Sequence, residues 1–163
     1  MNGKTVEVTN TDAEGRLILA DALAYAEKYL KPTRMIDIAT LTGAVGIALG
    51  DDISGVFTND ENLFEMLEES SKKTSEFIWR MPLYKDYLES LKSSIADIKN
   101  CSNRIGSLIS SALFLQEFVG KTPWAHLDIA GTNFIEKERH YYPVKGTANG
   151  VRLLIDFIES LAD

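Results

Sequence analysis

Thr5-Val6-Glu7-Val8-Thr9 alternates apolar and polar side chains, and Asn10-Thr11-Asp12-Ala13-Glu14-Gly15-Arg16-Leu17 follows it directly. The first stretch, β-branched at four of five positions, predicts a strand. Leu17-Ile18-Leu19-Ala20-Asp21-Ala22-Leu23 is rich in helix formers and predicts a helix immediately after. The octapeptide therefore lies where a strand hands over to a helix, and ligands gather at strand ends in α/β proteins. It carries Asp12, Glu14 and Arg16 at every second position. Two carboxylates beside a guanidinium suggest a metal site with an electrostatic partner. The plainer reading is helix capping, since Asp and Thr are common N-caps and a first-turn Glu meets the helix dipole favourably.

Further strands are expected at Met35–Ala39, Ile53–Phe57, Ile95–Lys99 and Ala125–Ala130. Helices are expected at about residues 14–30, 42–49, 61–74, 83–93 and 105–119, with a last one beginning after Gly150. Tyr84, Tyr87, Leu88 and Leu91 fall at helical spacing and predict an inward face, as do Val151, Leu154, Ile155 and Ile158. This βαβα rhythm predicts the α/β class, with a mostly parallel sheet and helices on both faces. No linker, repeat or low-complexity tract interrupts it, so one domain is expected.

The chain has 163 residues, 45% of them apolar, enough for a sizeable core. A net charge of −7 lacks the basic footprint of a nucleic-acid surface. No apolar run approaches the roughly 20 residues of a membrane span. A single cysteine, Cys101, rules out an internal disulfide framework and fits a reducing compartment. The expectation is a cytoplasmic chain without a signal peptide or membrane association. Cys101 itself reads as a structural thiol, with no histidine nearby in sequence. His126 falls in an alternating, strand-like stretch and reads as structural, and His140 in the charged turn after Glu136 reads as solvated. Asp51-Asp52 after Gly50 reads as a turn. Asp128 is a plausible supporting residue that its local pattern does not prove.

Taken whole, residues 10–17 resemble the signature of peptidase family M17, the leucyl or cytosol aminopeptidases. Other segments resemble further landmarks of that family in the expected order: Asn2 to Val8, Ala39-Thr40-Leu41-Thr42-Gly43-Ala44, Trp79-Arg80-Met81-Pro82-Leu83, and Trp124-Ala125-His126-Leu127-Asp128-Ile129-Ala130-Gly131-Thr132. The resemblance implies that Asp12 and Glu14 are ligands of a two-metal centre, and that Arg16 helps hold a bicarbonate and stabilise the reacting intermediate. It implies that Thr40, Leu41 and Gly43 line the substrate site, largely through backbone groups. The implied reaction removes an N-terminal residue, often leucine, from peptides with a free N-terminus. The implied metals are zinc or manganese, with magnesium or cobalt able to occupy at least one site, and the implied assembly is a homo-hexamer.

A bridging carboxylate pair suits two divalent cations that polarise a scissile carbonyl. An oxygen-rich donor set is hard enough to accept manganese and magnesium. Two carboxylates cannot complete the coordination of two ions, however. In the family the remaining ligands lie upstream of the signature. Residues 1–163 are therefore expected to be the C-terminal portion of a zinc-peptidase-like catalytic domain, without the N-terminal domain and the upstream catalytic segment. Alone they are expected to have little or no activity. The small residues in Asn103 to Leu113 are expected either to contribute to the pocket for the first substrate side chain or to permit tight helix packing. Lys145 to Arg152 departs from the family's usual Gly-Ala-Thr-Gly form. The alternative readings are a non-catalytic assembly module or remnant, and DNA binding as in some bacterial relatives, which the acidic balance disfavours.

Overall fold

The computed structural model describes residues 1–139, 142 and 144–162. His140 lies outside the described residues. The chain forms two compact units, Met1–Asp37 with Pro82–Trp124, and Ile38–Met81 with Ala125–Asp163.

The first unit opens with β1 (Val6–Glu7), which pairs in parallel with β5 (Ile98–Lys99), Val6 opposite Ile98. A 3-10 turn at Thr11–Ala13 leads into α1 (Glu14–Tyr25), which widens into a π-helical stretch at Ala26–Leu30. α4 (Ser107–Gln116) packs on α1 and buries residues all round, from Leu108 through Ser110 to Leu115. A helix apolar on every side must be a core helix. Its serines fit because Ser111 Oγ returns a hydrogen bond to the Ser107 carbonyl at 2.6 Å.

Residues 83–93 do not form the expected α-helix. A 3-10 helix spans Lys85–Leu91 instead, and side chains three apart then share a face. Leu88 is half-buried and Leu91 fully buried, whereas Tyr84 and Tyr87 are exposed, their rings edge-on at 5.4 Å.

The second unit holds α2 (Gly43–Leu49), β3 (Ser54–Thr58), α3 (Glu61–Thr74) and β4 (Ile78–Arg80). β6 (Trp124–Asp128) follows, then the short antiparallel pair β7 (Phe134–Ile135) and β8 (Lys145–Gly146), then α5 (Val151–Glu159). With β2 (Met35–Ala39) the main sheet has the order β2-β6-β3-β4. α/β class is right, but mostly parallel is only partly so. β3 runs parallel to β4, and β6 runs antiparallel to β3, with Phe57 opposite His126. The alternation of elements implied parallel crossovers. That rule binds short βαβ connections, whereas the long stretch before β6 forms other structure and lets the strand return reversed.

α5 corrects a second expectation. Its buried residues are Leu153 and Phe157, which face α3, while Val151, Ile155 and Ile158 are exposed. Arg152, Asp156 and Glu159 share one side of this helix, and the apolar arc that remains is wide enough to hold both rows, so spacing alone could not choose between them. Glu76, itself buried, secures the helix start by accepting the Gly150 and Leu153 amides at 3.1 and 2.8 Å.

Candidate active site

Asp12 and Glu14 sit on the 3-10 turn and the first residue of α1, within the first unit. Local chemistry shapes this junction. Asn10 has extended backbone, φ −143°, and its side-chain oxygen accepts the Asp12 amide at 2.9 Å, an N-cap made by the signature itself. Both carboxylates are exposed, and among the described residues neither makes a hydrogen bond or ion pair. Capping is thus carried by Asn10, and Asp12 and Glu14 are left unengaged. Arg16, two residues on, turns inward instead. It is buried and donates from Nη1 to the Asn100 carbonyl at 2.7 Å.

Asn100 is a residue the sequence reading missed. It follows β5 and is fully buried against the turn, with its amide oxygen receiving the backbone N–H groups of Thr9 and Asn10 at 2.9 and 3.3 Å. The only available signal was a polar residue at the end of a predicted strand. Cys101 beside it is half-buried and free.

Thr40 and Leu41 lie in the second unit on the loop between β2 and α2, and Gly43 is the first residue of α2. Thr40 and Gly43 are exposed and Leu41 is half-buried. Asp128, at the end of β6 and fully buried, fixes this loop. Its Oδ1 accepts the amides of Leu41 at 3.1 Å, Thr42 at 3.4 Å and Ala130 at 3.2 Å. Its Oδ2 accepts the Thr42 hydroxyl at 2.7 Å, and that hydroxyl caps α2 by accepting the Val45 amide at 3.2 Å. Asp128 thus has the supporting place that its local sequence left open. His126 is fully buried and stacks on Phe57, a structural role.

Among the described residues two carboxylates change their acidity, both away from the candidate residues. Hydrogen bonds from the Thr5 amide and hydroxyl hold Asp97 below the ordinary carboxylate range, and the Arg139 guanidinium does the same for Asp51. A cavity of about 480 Å³ in the second unit is lined by Ile53, Phe77, Thr132, Arg139 and Asn149, and none of the six candidate residues lines it. Among the described residues no three His, Cys, Asp or Glu side chains converge as a metal cluster, and no helix is long and apolar enough to cross a membrane.

Residues 1–155 match the catalytic domain of the cytosol aminopeptidase family, and the chain belongs to that family. It is 55% identical over 161 residues to a probable cytosol aminopeptidase of Protochlamydia amoebophila (strain UWE25), covering 98% of this chain and 32% of that protein. It is 54% identical over 158 residues to one from Geobacter sp. (strain M21), covering 97% and 32%. Among solved structures, the bottromycin maturation enzyme BotP in complex with Mn superposes with a TM-score of 0.94 at 39% identity, over 100% of this chain and 37% of that one. A tomato leucine aminopeptidase mutant gives 0.90 at 43% identity, over 96% and 30%. The chain thus spans about a third of the length of the relatives it matches.

Proposed function

We propose that this chain supplies two carboxylate ligands, Asp12 and Glu14, and a substrate loop to a dinuclear-metal aminopeptidase that removes leucine-like N-terminal residues from peptides. The observation carrying this reading is a pair of exposed, unpaired carboxylates on a turn held by buried partners, in a member of this family. Hard oxygen donors of this kind fit manganese, zinc, magnesium or cobalt. Two of them cannot fill two coordination spheres, so the remaining ligands come from outside residues 1–163. These residues are then the C-terminal portion of the catalytic domain, and alone they have little or no activity. BotP was solved with Mn, which favours manganese as one occupant.

The chemistry that bound divalent ions supply is polarisation of the scissile carbonyl and acidification of water. Asp12 and Glu14 hold charge in place without competing internal partners. Arg16, fixed on the Asn100 carbonyl, sets a permanent positive charge beside the turn, suited to bicarbonate or to a developing oxyanion. Thr40, Leu41 and Gly43 offer backbone groups for the substrate, and Asp128 keeps their loop in one conformation. A cytoplasmic homo-hexamer completes the reading.

The test is hydrolysis of a leucine anilide by the chain alone and by the longest product of its reading frame, each loaded with Mn²⁺. Activity should belong to the longer product and fall at least about 100-fold with Asp12→Asn, as expected when a metal ligand is lost. Turnover by the 163 residues alone that disappears with Asp12→Asn would refute the need for outside ligands. A non-catalytic assembly role is favoured by exposed apolar side chains such as those of α5, and a strictly monomeric chain in sedimentation would remove it.

A further inference from the structure

The Asn10 cap is not the only group that holds the turn bearing Asp12 and Glu14. We propose that Asn100, ninety residues away in sequence, is the positioning residue that fixes this turn in its metal-ready shape. The inference rests on the reading of Asp12 and Glu14 as ligands. Asn100 is fully buried and uses every polar group it has. Its Oδ1 accepts the Thr9 amide at 2.9 Å, the Asn10 amide at 3.3 Å and the Thr9 hydroxyl at 3.4 Å. Its Nδ2 donates to the carbonyls of Asn10 at 2.7 Å and Ala13 at 3.4 Å. Its own amide donates to the Glu7 carbonyl at 3.0 Å, and its carbonyl receives Arg16 Nη1 at 2.7 Å.

These contacts reach both sides of Asp12. Thr9 and Asn10 lie before it and Ala13 and Arg16 after it, so the segment between is pinned at each end. The requirement is chemically narrow. One side chain must accept from two N–H groups and donate to two carbonyls, which an amide does and a carboxylate cannot. Aspartate has nearly the same shape but sets an anionic oxygen against the Asn10 and Ala13 carbonyls. The Arg16 contact ties the proposed cation to the same residue, so one buried side chain registers ligand pair and guanidinium together. Partners that orient metal ligands in this way commonly govern affinity by about 10- to 100-fold.

Two readouts on the longest product of the reading frame, in which the proposed function places the remaining ligands, test this, with Mn²⁺ alone as the probe. The first is metal-free amide hydrogen exchange at Thr9 and Asn10. The second is paramagnetic broadening of the Thr11 to Glu14 amides as Mn²⁺ is added. Asn100→Ala should speed exchange at Thr9 and Asn10 while the α4 amides stay protected, and should raise half-saturating Mn²⁺ about 10- to 100-fold. Should Asn100→Ala fail to fold, Asn100→Asp keeps the volume and the acceptors, removes the two donations and turns an anionic oxygen toward the same carbonyls. It should still weaken Mn²⁺ binding. Thr5→Val loosens the same strand pair through Asp97 without touching the turn, and should leave Mn²⁺ binding unchanged.

Equal weakening by Thr5→Val would reduce Asn100 to general support of the strand pair and overturn the inference. Unchanged exchange and broadening in a folded Asn100 variant would overturn it as well. No broadening at Asp12 and Glu14 in the unaltered longer product would instead defeat the metal reading, and the functional part of the inference with it. Exchange at Thr9 and Asn10 would then still decide whether Asn100 shapes the turn.

Discussion

Replacing Asp128 should unfold the loop between β2 and α2 before it disturbs anything else. Its carboxylate is fully buried and accepts three backbone amides and one hydroxyl. Asp128→Ala leaves all four donors without that acceptor. The 2.7 Å bond from Thr42 and the 3.1 Å bond from Leu41 are the strong members, while those at 3.2 and 3.4 Å are long and contribute less. A hydrogen bond to a charged group contributes about 1.5–3 kcal/mol. Two strong and two weak ones sum to roughly 5 kcal/mol, and release of a buried charge offsets part of this, leaving about 3–4 kcal/mol. Asp128→Asn keeps an oxygen for the three amides, and the Thr42 hydroxyl can rotate to accept from the new NH₂. It should cost only about 1–2 kcal/mol. At about 2–4 °C per kcal/mol for a chain of this size, Tm falls by roughly 6–16 °C for Ala and 2–8 °C for Asn. Thermal and urea unfolding followed by circular dichroism give both numbers. A loss below about 1 kcal/mol for Ala, or equal losses for Ala and Asn, would refute the assignment of this loop's stability to hydrogen bonds on Asp128.

Three further expectations follow from packing and charge. A Cβ on Gly131 meets the Gly50 carbonyl oxygen at 2.4 Å and the Gly46 Cα at 3.0 Å, both backbone atoms that cannot rotate away. Gly131→Ala should therefore cost about 1–3 kcal/mol, read from the urea midpoint, and a neutral substitution would show that the α2 contact is loose. Glu76→Gln weakens the charge-assisted bonds at the start of α5 and should cost about 2 kcal/mol, with faster exchange at the Gly150 and Leu153 amides. Unchanged exchange there would mean that α5 is capped without Glu76. The folded state holds Asp97 more acidic than an unfolded aspartate, so its clasp on Thr5 is present above the unfolded pKa of about 3.9 and is lost as pH falls through the lower folded value. Val6 exchange should accelerate only below that range, and a transition near neutral pH would assign the clasp to another group.

What the sequence disclosed follows the range of the forces involved. α3 was legible from residue 61 to 74 because its cap, its apolar spacing and its end all lie within the segment. β2 was legible from Met35 to Ala39 for the same reason. The inward face of α5 was not, because Val151-Leu154-Ile155-Ile158 and Leu153-Phe157 are both apolar rows, and only packing against α3 selects the second. The direction of β6 was hidden because it depends on where the chain has been between Pro82 and Trp124, which no local pattern records.

The candidate site divides along the same line. Asp12, Glu14 and Arg16 are contiguous, so their chemistry can be read from eight residues, and so can the Asn10 cap that shapes the turn. The groups that hold these segments cannot be read that way. Asn100 and Asp128 reach their loops from about ninety residues away, and neither sits in a pattern that names its partners. A carboxylate able to bind a cation must be kept from pairing with its own protein, and Asp12 and Glu14 satisfy this by standing on a turn whose backbone needs are already met by Asn10 and Asn100. The amides of exposed Asn10 and buried Asn100 therefore do the structural bonding so that exposed carboxylates remain available. Exchanging those tasks, with the carboxylate buried at residue 100 and an amide at residue 12, should cost both the turn and its proposed ligand.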